Sequence, residues 1–304
     1  MNKQLAIYTE ELTKDYGVGR GLFDLNLEVA QGEVFGFLGP NGAGKTTAIK
    51  LFMGLSYATS GTASIFGLDV RDKAVEIKRT VGYVPGELPQ FGGLRASEIV
   101  AWLGGLRGTL DGTVVTQIAQ RLSLDLSRRF REYSRGNKQK LAILLGFMHK
   151  PRLLIMDEPT GGLDPLIQQE FNSMVREASH DGATVFLSSH ILSEVESLCD
   201  RVGIIRGGHL VRVEGLDAIR QLQVRQVEID FLSTPPVEAI KAAVGVEDVS
   251  AFNTNRVTCS VHGSFDGLLA SISGHGVLNL VSREPSLEEV FLLHYRDEAT
   301  ASAN

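Results

Sequence analysis

The chain is poor in cysteine: its 304 residues contain two, Cys199 and Cys259, far apart and outside any C-x-x-C spacing. That excludes a disulfide framework and a cysteine-based zinc site, and the two read as reduced, buried small hydrophobes of a cytosolic protein. Long apolar runs are missing too. Leu141-Ala-Ile-Leu-Leu-Gly-Phe-Met148 is uncharged but far short of the ~20 residues that a membrane-spanning helix needs, so the chain is not expected to cross a bilayer. Its start, Met1-Asn-Lys-Gln-Leu-Ala-Ile-Tyr8, runs into Glu10 and Glu11 before a signal-peptide core could form, so secretion is not expected. A basic excess is also absent. The formal net charge of -6 argues against a general nucleic-acid binder, although a local basic patch is still compatible with it. What remains, 43% hydrophobic and 22% charged residues, is the balance of an ordinary globular chain, and its length favours one large or two ordinary domains.

Glycine is where the information lies. Gly39-Pro-Asn-Gly-Ala-Gly-Lys-Thr-Thr47 fits the phosphate-binding pattern G-x-x-x-x-G-K-[ST], and its setting is the one the pattern requires. Val34-Phe-Gly-Phe-Leu38 before it reads as a short buried strand, and Thr46 to Met53 after it as the start of a helix. Gly39, Gly42 and Gly44 let the backbone curl so that N–H groups converge on phosphate oxygens, with Pro40, Asn41 and Ala43 completing the loop. The helix beginning near Thr46 and Thr47 adds its free N–H groups and positive end. Lys45 is expected to bridge the β- and γ-phosphates, and the Thr46 hydroxyl to ligate Mg²⁺. The ligand is therefore a nucleoside triphosphate, held together with Mg²⁺.

Residues 1–221 alternate short apolar strands with helical patterns, as an α/β domain with a largely parallel sheet does. Val34–Leu38, Leu153–Asp157 and Thr184–Ser188 are the strands expected to carry the chemistry, because ligands in open α/β sheets bind at the C-terminal strand ends. Residues 86–150 turn helical, with helices expected over Ala96–Leu106, Val114–Leu122 and Lys138–His149. Residues 222–304 change style. Strands at Val227–Leu232, Val246–Phe252, Arg256–Val261 and Val277–Val281 and helices at Val237–Val244 and Phe265–Ser273 follow in the order βαββαβ, the ferredoxin-like α+β pattern. A last helix, Ser286–Tyr295, opens on the capping box Ser286-Leu-Glu-Glu289, and the tail Ala299–Asn304 is expected to fray.

Leu153-Leu-Ile-Met-Asp-Glu158 closes a doubly buried strand with two carboxylates. Asp157 is expected to hold the metal through water, and Glu158 to polarise the attacking water. His190 follows Thr184-Val-Phe-Leu-Ser-Ser189 at another strand end, where it would donate to the γ-phosphate and hold the water geometry. A lone histidine is more often structural, and only its position in the chain argues otherwise.

With these residues in this order, the chain resembles the ATP-binding subunit of an ABC transporter. The phosphate loop, Leu-Ile-Met-Asp-Glu, Gly161-Gly-Leu-Asp-Pro165 and His190 recur in that family's order, and the family's signature stands here as Tyr133-Ser-Arg-Gly-Asn137, with Arg135 in place of its first glycine. The resemblance implies a P-loop NTPase core of the ABC type with a helical subdomain. It also implies that Ser134 and Gly136 meet the γ-phosphate bound to a second subunit, that Asp164 contributes to nucleotide binding, and that Tyr16 stacks on adenine. Where the family has glutamine after the proline of Val81-Gly-Tyr-Val-Pro85, this chain has Gly86; either Glu87 takes over the contact with metal and water, or the loop serves only mechanical coupling. The basic cluster Arg128, Arg129, Arg131, Arg135, Lys138 and Lys140 lacks interleaved aromatics beyond Phe130 and Tyr133 and sits against the signature, so it reads as a solvated helix start and not as a nucleic-acid surface.

By the same resemblance, whose C-terminal part through Glu284–Leu292 is that of the drug and antibiotic exporter branch, the chain powers a separately encoded polytopic membrane permease. It would work on the cytoplasmic face of the membrane as a head-to-tail homodimer or heterodimer. The segment Leu94–Trp102 resembles the family's permease contact, although Trp102 also suits a core. Two alternatives stay open: a soluble ABC-type ATPase acting on nucleic acid or ribosomes, and a regulatory protein that binds ATP without hydrolysing it.

Overall fold

The computed structural model describes residues 4–106, 108, 110–216 and 224–283. The chain divides into two compact units, Met1–Leu216 and Asp217–Asn304. In the first, the chain begins with β1 (Leu5–Asp15), β2 (Gly21–Ala30) and β3 (Val34–Leu38), followed by α1 (Lys45–Phe52), β4 (Ser60–Ile65) and β5 (Leu68–Asp69). Then come α2 (Ala74–Thr80), β6 (Val81–Val84), α3 (Ala96–Gly105), α4 (Gly112–Arg121) and α5 (Arg135–Phe147). The unit continues through β7 (Leu153–Asp157), α6 (Pro165–His180), β8 (Thr184–Ser189), α7 (Leu192–Leu198), β9 (Arg201–Arg206) and β10 (His209–Gly215).

These strands build two sheets. The six-stranded sheet runs β10-β9-β3-β8-β7-β6, parallel throughout except for the antiparallel edge strand β10. Every residue of β3, β7 and β8 is buried, which is why these segments read as apolar runs without alternation, interrupted by polar residues only at the strand ends, Asp157, Thr184, Ser188 and Ser189. The second sheet, β2-β1-β4-β5, is antiparallel and stands beside the parallel one, so in this part of the unit strands follow one another without a helix between β1, β2 and β3. Its inner residues Ile7, Leu25, Leu27, Val29 and Ile65 join Phe35, Phe37, Phe52 and Phe186 in one core.

The helical stretch begins its first helix at Ala96 as expected, whereas α5 starts three residues earlier than its apolar pattern does. The reason is local: the Ser134 hydroxyl accepts from Asn137 N at 3.3 Å and caps the helix ahead of its apolar face. Two glycines seat α5 on the sheet. A side chain at Gly82 would begin 2.2 Å from the Gly146 carbonyl oxygen, and one at Gly146 would begin 2.6 Å from a Val84 methyl. Gly82→Ala is therefore expected to lift α5 off β6 and cost about 1–3 kcal/mol of stability, the usual range for overpacking. Urea unfolding followed by circular dichroism measures it, and an unchanged midpoint would mean that the helix has slack to move.

The second unit contains β11 (Val224–Phe231), α8 (Val237–Lys241), β12 (Val246–Asn253), β13 (Arg256–His262), α9 (Asp266–Ile272) and β14 (Val277–Arg283). Its sheet is antiparallel in the order β12-β13-β11-β14, which puts the first and third strands of the βαββαβ unit at the centre, the ferredoxin-like arrangement. Val227, Ile229, Phe231, Val257, Cys259 and Val261 face Ile240, Leu268 and Ile272 of the two helices. Burial pushes the Cys259 thiol up to about 11, and Cys199 is raised by burial as well, so both stay protonated as small hydrophobes. The expected helix Ser286–Tyr295 and the tail lie outside the described residues.

Candidate active site

Strand register brings the motifs together. Leu38, the last residue before the phosphate loop, pairs with Ser189, and Asp157 pairs with Ser188, so β3, β8 and β7 end level with one another. Between the two outer strands Ser188 acts as a hub. Its hydroxyl donates to Asp157 Oδ1 at 2.6 Å and lies 3.2 Å from Glu158 N, and Glu158 N also reaches the Ser188 carbonyl at 3.1 Å. Asp157 Oδ2 receives the Thr46 hydroxyl at 2.8 Å from the first turn of α1. Two oxygens of this kind, one a carboxylate, fit a small hard cation such as Mg²⁺, and the phosphate of a bound nucleotide would complete the set.

Glu158 stands at φ +46°, a left-handed conformation that non-glycine residues rarely adopt and that turns its side chain back over the phosphate loop. There Oε1 lies 3.3 Å from Lys45 Nζ and Oε2 lies 3.3 Å from His190 Nδ1. Lys45 is 4% exposed and also donates to the carbonyls of Gly39 at 2.6 Å and Pro40 at 3.1 Å. The loop's only cation is thus folded back on its own acceptors, in the concavity left by Gly42 at φ +81° and Gly44 at φ +110°. Tyr83, one strand over, is pushed up to about 12 by burial and, second, by the Asp157 carboxylate, so its phenol keeps its proton.

The cleft in front of this loop has a volume of about 390 Å³, with Tyr16, Arg20 and Gly207 at one side and Asn41, Lys45, Thr46, Thr47 and Glu158 among its other walls. Lys14 Nζ sits over the Tyr16 ring, 5.3 Å from its centroid, but Tyr16 is 57% exposed, so ring area remains for a stacking partner. A side chain at Gly86 would begin 3.8 Å from Asp157 Oδ2, so position 86 does face the metal side of the site, but it has no side chain to offer. Glu87 is exposed and does not line the cleft.

Ser134, Gly136 and Asp164 lie elsewhere, outside the residues that line the cleft. Gly136 lets α5 press on the loop after β7: a side chain there would begin 2.6 Å from the Gly162 carbonyl. Asp164 caps α6 by accepting from Ile167 N at 3.0 Å. The signature helix thus packs on the loop that follows Glu158, while its own Ser134 and Gly136 do not line the cleft in front of the phosphate loop. Sequence reasoning did not single out Arg20 and Ser188; the serine pair Ser188-Ser189 just before His190 is the signal that was there to find.

A phosphate loop level with a carboxylate pair at the C-terminal edge of a parallel sheet defines a P-loop nucleoside triphosphatase. Comparison with known proteins narrows this. The family model described as "ABC transporter" matches residues 22–161. The bacitracin transport ATP-binding protein BcrA of Bacillus licheniformis is 33% identical over 94% of this chain and 96% of its own length. The linearmycin resistance ATP-binding protein LnrL of Bacillus subtilis is likewise 33% identical, over 94% and 97%. The dimeric structure of a bacterial ABC transporter cassette, 25% identical, superposes with a TM-score of 0.61 over 69% of this chain and 98% of that one. The chain belongs to the ABC transporter family, on the drug and antibiotic exporter-like branch, as an ATP-binding subunit that hydrolyses ATP with Mg²⁺. Such subunits serve transport systems with separate membrane components, and among the described residues no helix is long and apolar enough to cross a membrane. The nucleic-acid reading finds no support among these relatives.

Proposed function

We propose that this chain drives a polytopic permease on the cytoplasmic face of the membrane, and that two ATPase units close head to tail over two Mg·ATP molecules to do so. The observation that carries this reading is the pairing of a hydrolytic half-site, Lys45, Thr46, Asp157, Glu158 and His190, with a signature whose Ser134 and Gly136 do not line the cleft in front of the phosphate loop. That placement makes sense when the second half comes from another subunit, as the dimeric cassette relative supports.

In this reading the phosphate-loop N–H groups and Lys45 bind the triphosphate, Tyr16 stacks on the base, and Thr46 with Asp157 holds Mg²⁺, which neutralises phosphate charge when bound. Glu158 accepts a proton from the attacking water and His190 keeps Glu158 and that water aligned. Ser134, Gly136 and Asp164 close the site from the partner subunit. Glu87 is the acidic group left to replace the missing side chain at Gly86. Leu94, Trp102 and Leu106 are exposed on and beside α3, which suits contact with the permease better than a core role. Two relatives are named for bacitracin transport and for linearmycin resistance, and by that likeness a compound of this antibiotic kind is the cargo proposed for this chain.

Mixing two variants tests the shared site. Lys45→Ala spoils one half and Ser134→Arg the other, so each alone is expected to trap no nucleotide, while a mixed dimer keeps one intact composite site. ATP capture by the mixture, read on a column that selects dimers carrying both tags, supports the reading. No capture by mixed dimers overturns it.

A further inference from the structure

The loop that carries Glu158 and the loop that carries His190 are joined on their far side by one carboxylate. Glu194, in the first turn of α7, accepts the Thr160 hydroxyl on Oε1 and the Ser189 hydroxyl on Oε2, the latter at 2.6 Å. Thr160 lies two residues after Glu158 and is 6% exposed; Ser189 immediately precedes His190 and is 1% exposed. Each loop is thus gripped next to its reacting side chain by a buried hydroxyl, and both hydroxyls end on the same group. The Ser189 carbonyl in turn receives Gly39 N at 3.2 Å, which extends the chain of contacts to the start of the phosphate loop.

We propose that Glu194 is a positioning residue for hydrolysis, a clamp that sets the separation of Glu158 and His190 through Thr160 and Ser189. This rests on the reading of Glu158 and His190 as the pair that aligns water. The direct Glu158–His190 contact, 3.3 Å long, cannot set that separation by itself, because both side chains are open to solvent, at 34% and 45% exposed, where an ion pair is weak. The two bonds to Glu194 are charge-assisted and come from residues that are themselves buried, so they are held more firmly than that open contact. Both carboxylate oxygens of Glu194 are taken up by Thr160 and Ser189, so it acts on the pair through the position of those two residues.

The chemistry of the clamp predicts which substitutions it tolerates. Glutamine at 194 can still accept from Thr160 with its oxygen. Its NH₂ can donate to Ser189 Oγ, whose own proton then turns to the Ile191 carbonyl already 3.2 Å away. Alanine keeps neither link. Valine at 160 removes one link and little volume.

Steady-state ATPase kinetics on the full chain provide the test. Glu194→Ala is expected to lower kcat about tenfold or more, as displacements well under 1 Å do, with KM for ATP within about twofold and nucleotide-binding stoichiometry intact. Glu194→Gln should restore most of that loss, and Thr160→Val should cost about threefold or more. If Glu194 acts through His190, then Glu194→Ala added to His190→Ala should cost less than about twofold further. Unchanged kcat in Glu194→Ala or in Thr160→Val overturns the clamp, as does a full tenfold loss that persists in the His190→Ala background. If His190→Ala alone leaves kcat unchanged, the underlying reading of His190 fails and the clamp falls with it. Should Glu194→Ala not fold, Thr160→Val and Glu194→Gln decide the matter.

Discussion

Glu158→Gln is expected to slow ATP turnover by about 10²-fold or more while leaving ATP bound and the dimer accumulated. The amide keeps the shape of the side chain and a lone pair for Lys45 or His190, but it cannot take a proton from water. It also removes a negative charge 3.3 Å from Lys45 Nζ, beside the place where phosphate must sit. Both changes act in one direction: the ground state with ATP is relieved of a repulsion, and the step that would end it is lost. Single-turnover hydrolysis gives the rate, and gel filtration with and without ATP gives the dimer. Hydrolysis at the natural rate would remove Glu158 from its role, and slow hydrolysis without a dimer would separate the base from the closing of the two subunits.

Lys45→Ala is expected to weaken ATP binding by about 10²- to 10³-fold, within the roughly 2–5 kcal/mol that truncating one partner of a buried, hydrogen-bonded charge pair costs. The contacts that Lys45 makes within the protein make the size of this effect informative. Lys45 already has three acceptors of its own, the Gly39 and Pro40 carbonyls and Glu158, so a nucleotide must outbid them. A loss at the upper end of the range means that the ammonium turns fully to phosphate. A loss of only a few-fold, in titrations with a fluorescent ATP analogue, would mean that it stays with its carbonyls and that the backbone N–H groups do most of the binding.

The phosphate loop is legible in the sequence because its chemistry demands particular residues at particular spacings: glycines where a Cβ would fill the concavity, and Lys45-Thr46 where the helix opens. Leu153–Glu158 is legible for a related reason, since a strand buried on both faces is apolar up to its end, where Asp157 and Glu158 meet the site. The C-terminal unit was readable through period-two alternation with helices between, and its βαββαβ order is the one observed. The antiparallel sheet of the first unit was not, because β1 and β2 carry polar residues such as Glu10, Glu11 and Asp24 on their solvent side, and nothing local says that they pair with each other and with β4. Tyr16 reached the site by resemblance alone; an exposed tyrosine has no pattern of its own. Ser188 and Glu194 illustrate a different limit. Serine in a strand and glutamate in a helix are commonplace, and their meaning lies in partners such as Asp157 and Thr160 that the fold supplies from distant segments.

The level ends of β3, β8 and β7 have a consequence for how this protein can change over time. Leu38 meets Ser189 and Ser188 meets Asp157 only because each strand contributes a fixed number of residues before it stops. The aliphatic and aromatic residues inside these strands are interchangeable in kind, within the limits of volume. Their number is not. A single deletion among Val185, Phe186 and Leu187 would turn every following side chain to the opposite face, leaving Ser188 pointed away from Asp157 with every motif residue still present. The lineage of such a chain is free to drift in letters along the sheet, and it is closed to insertions and deletions there.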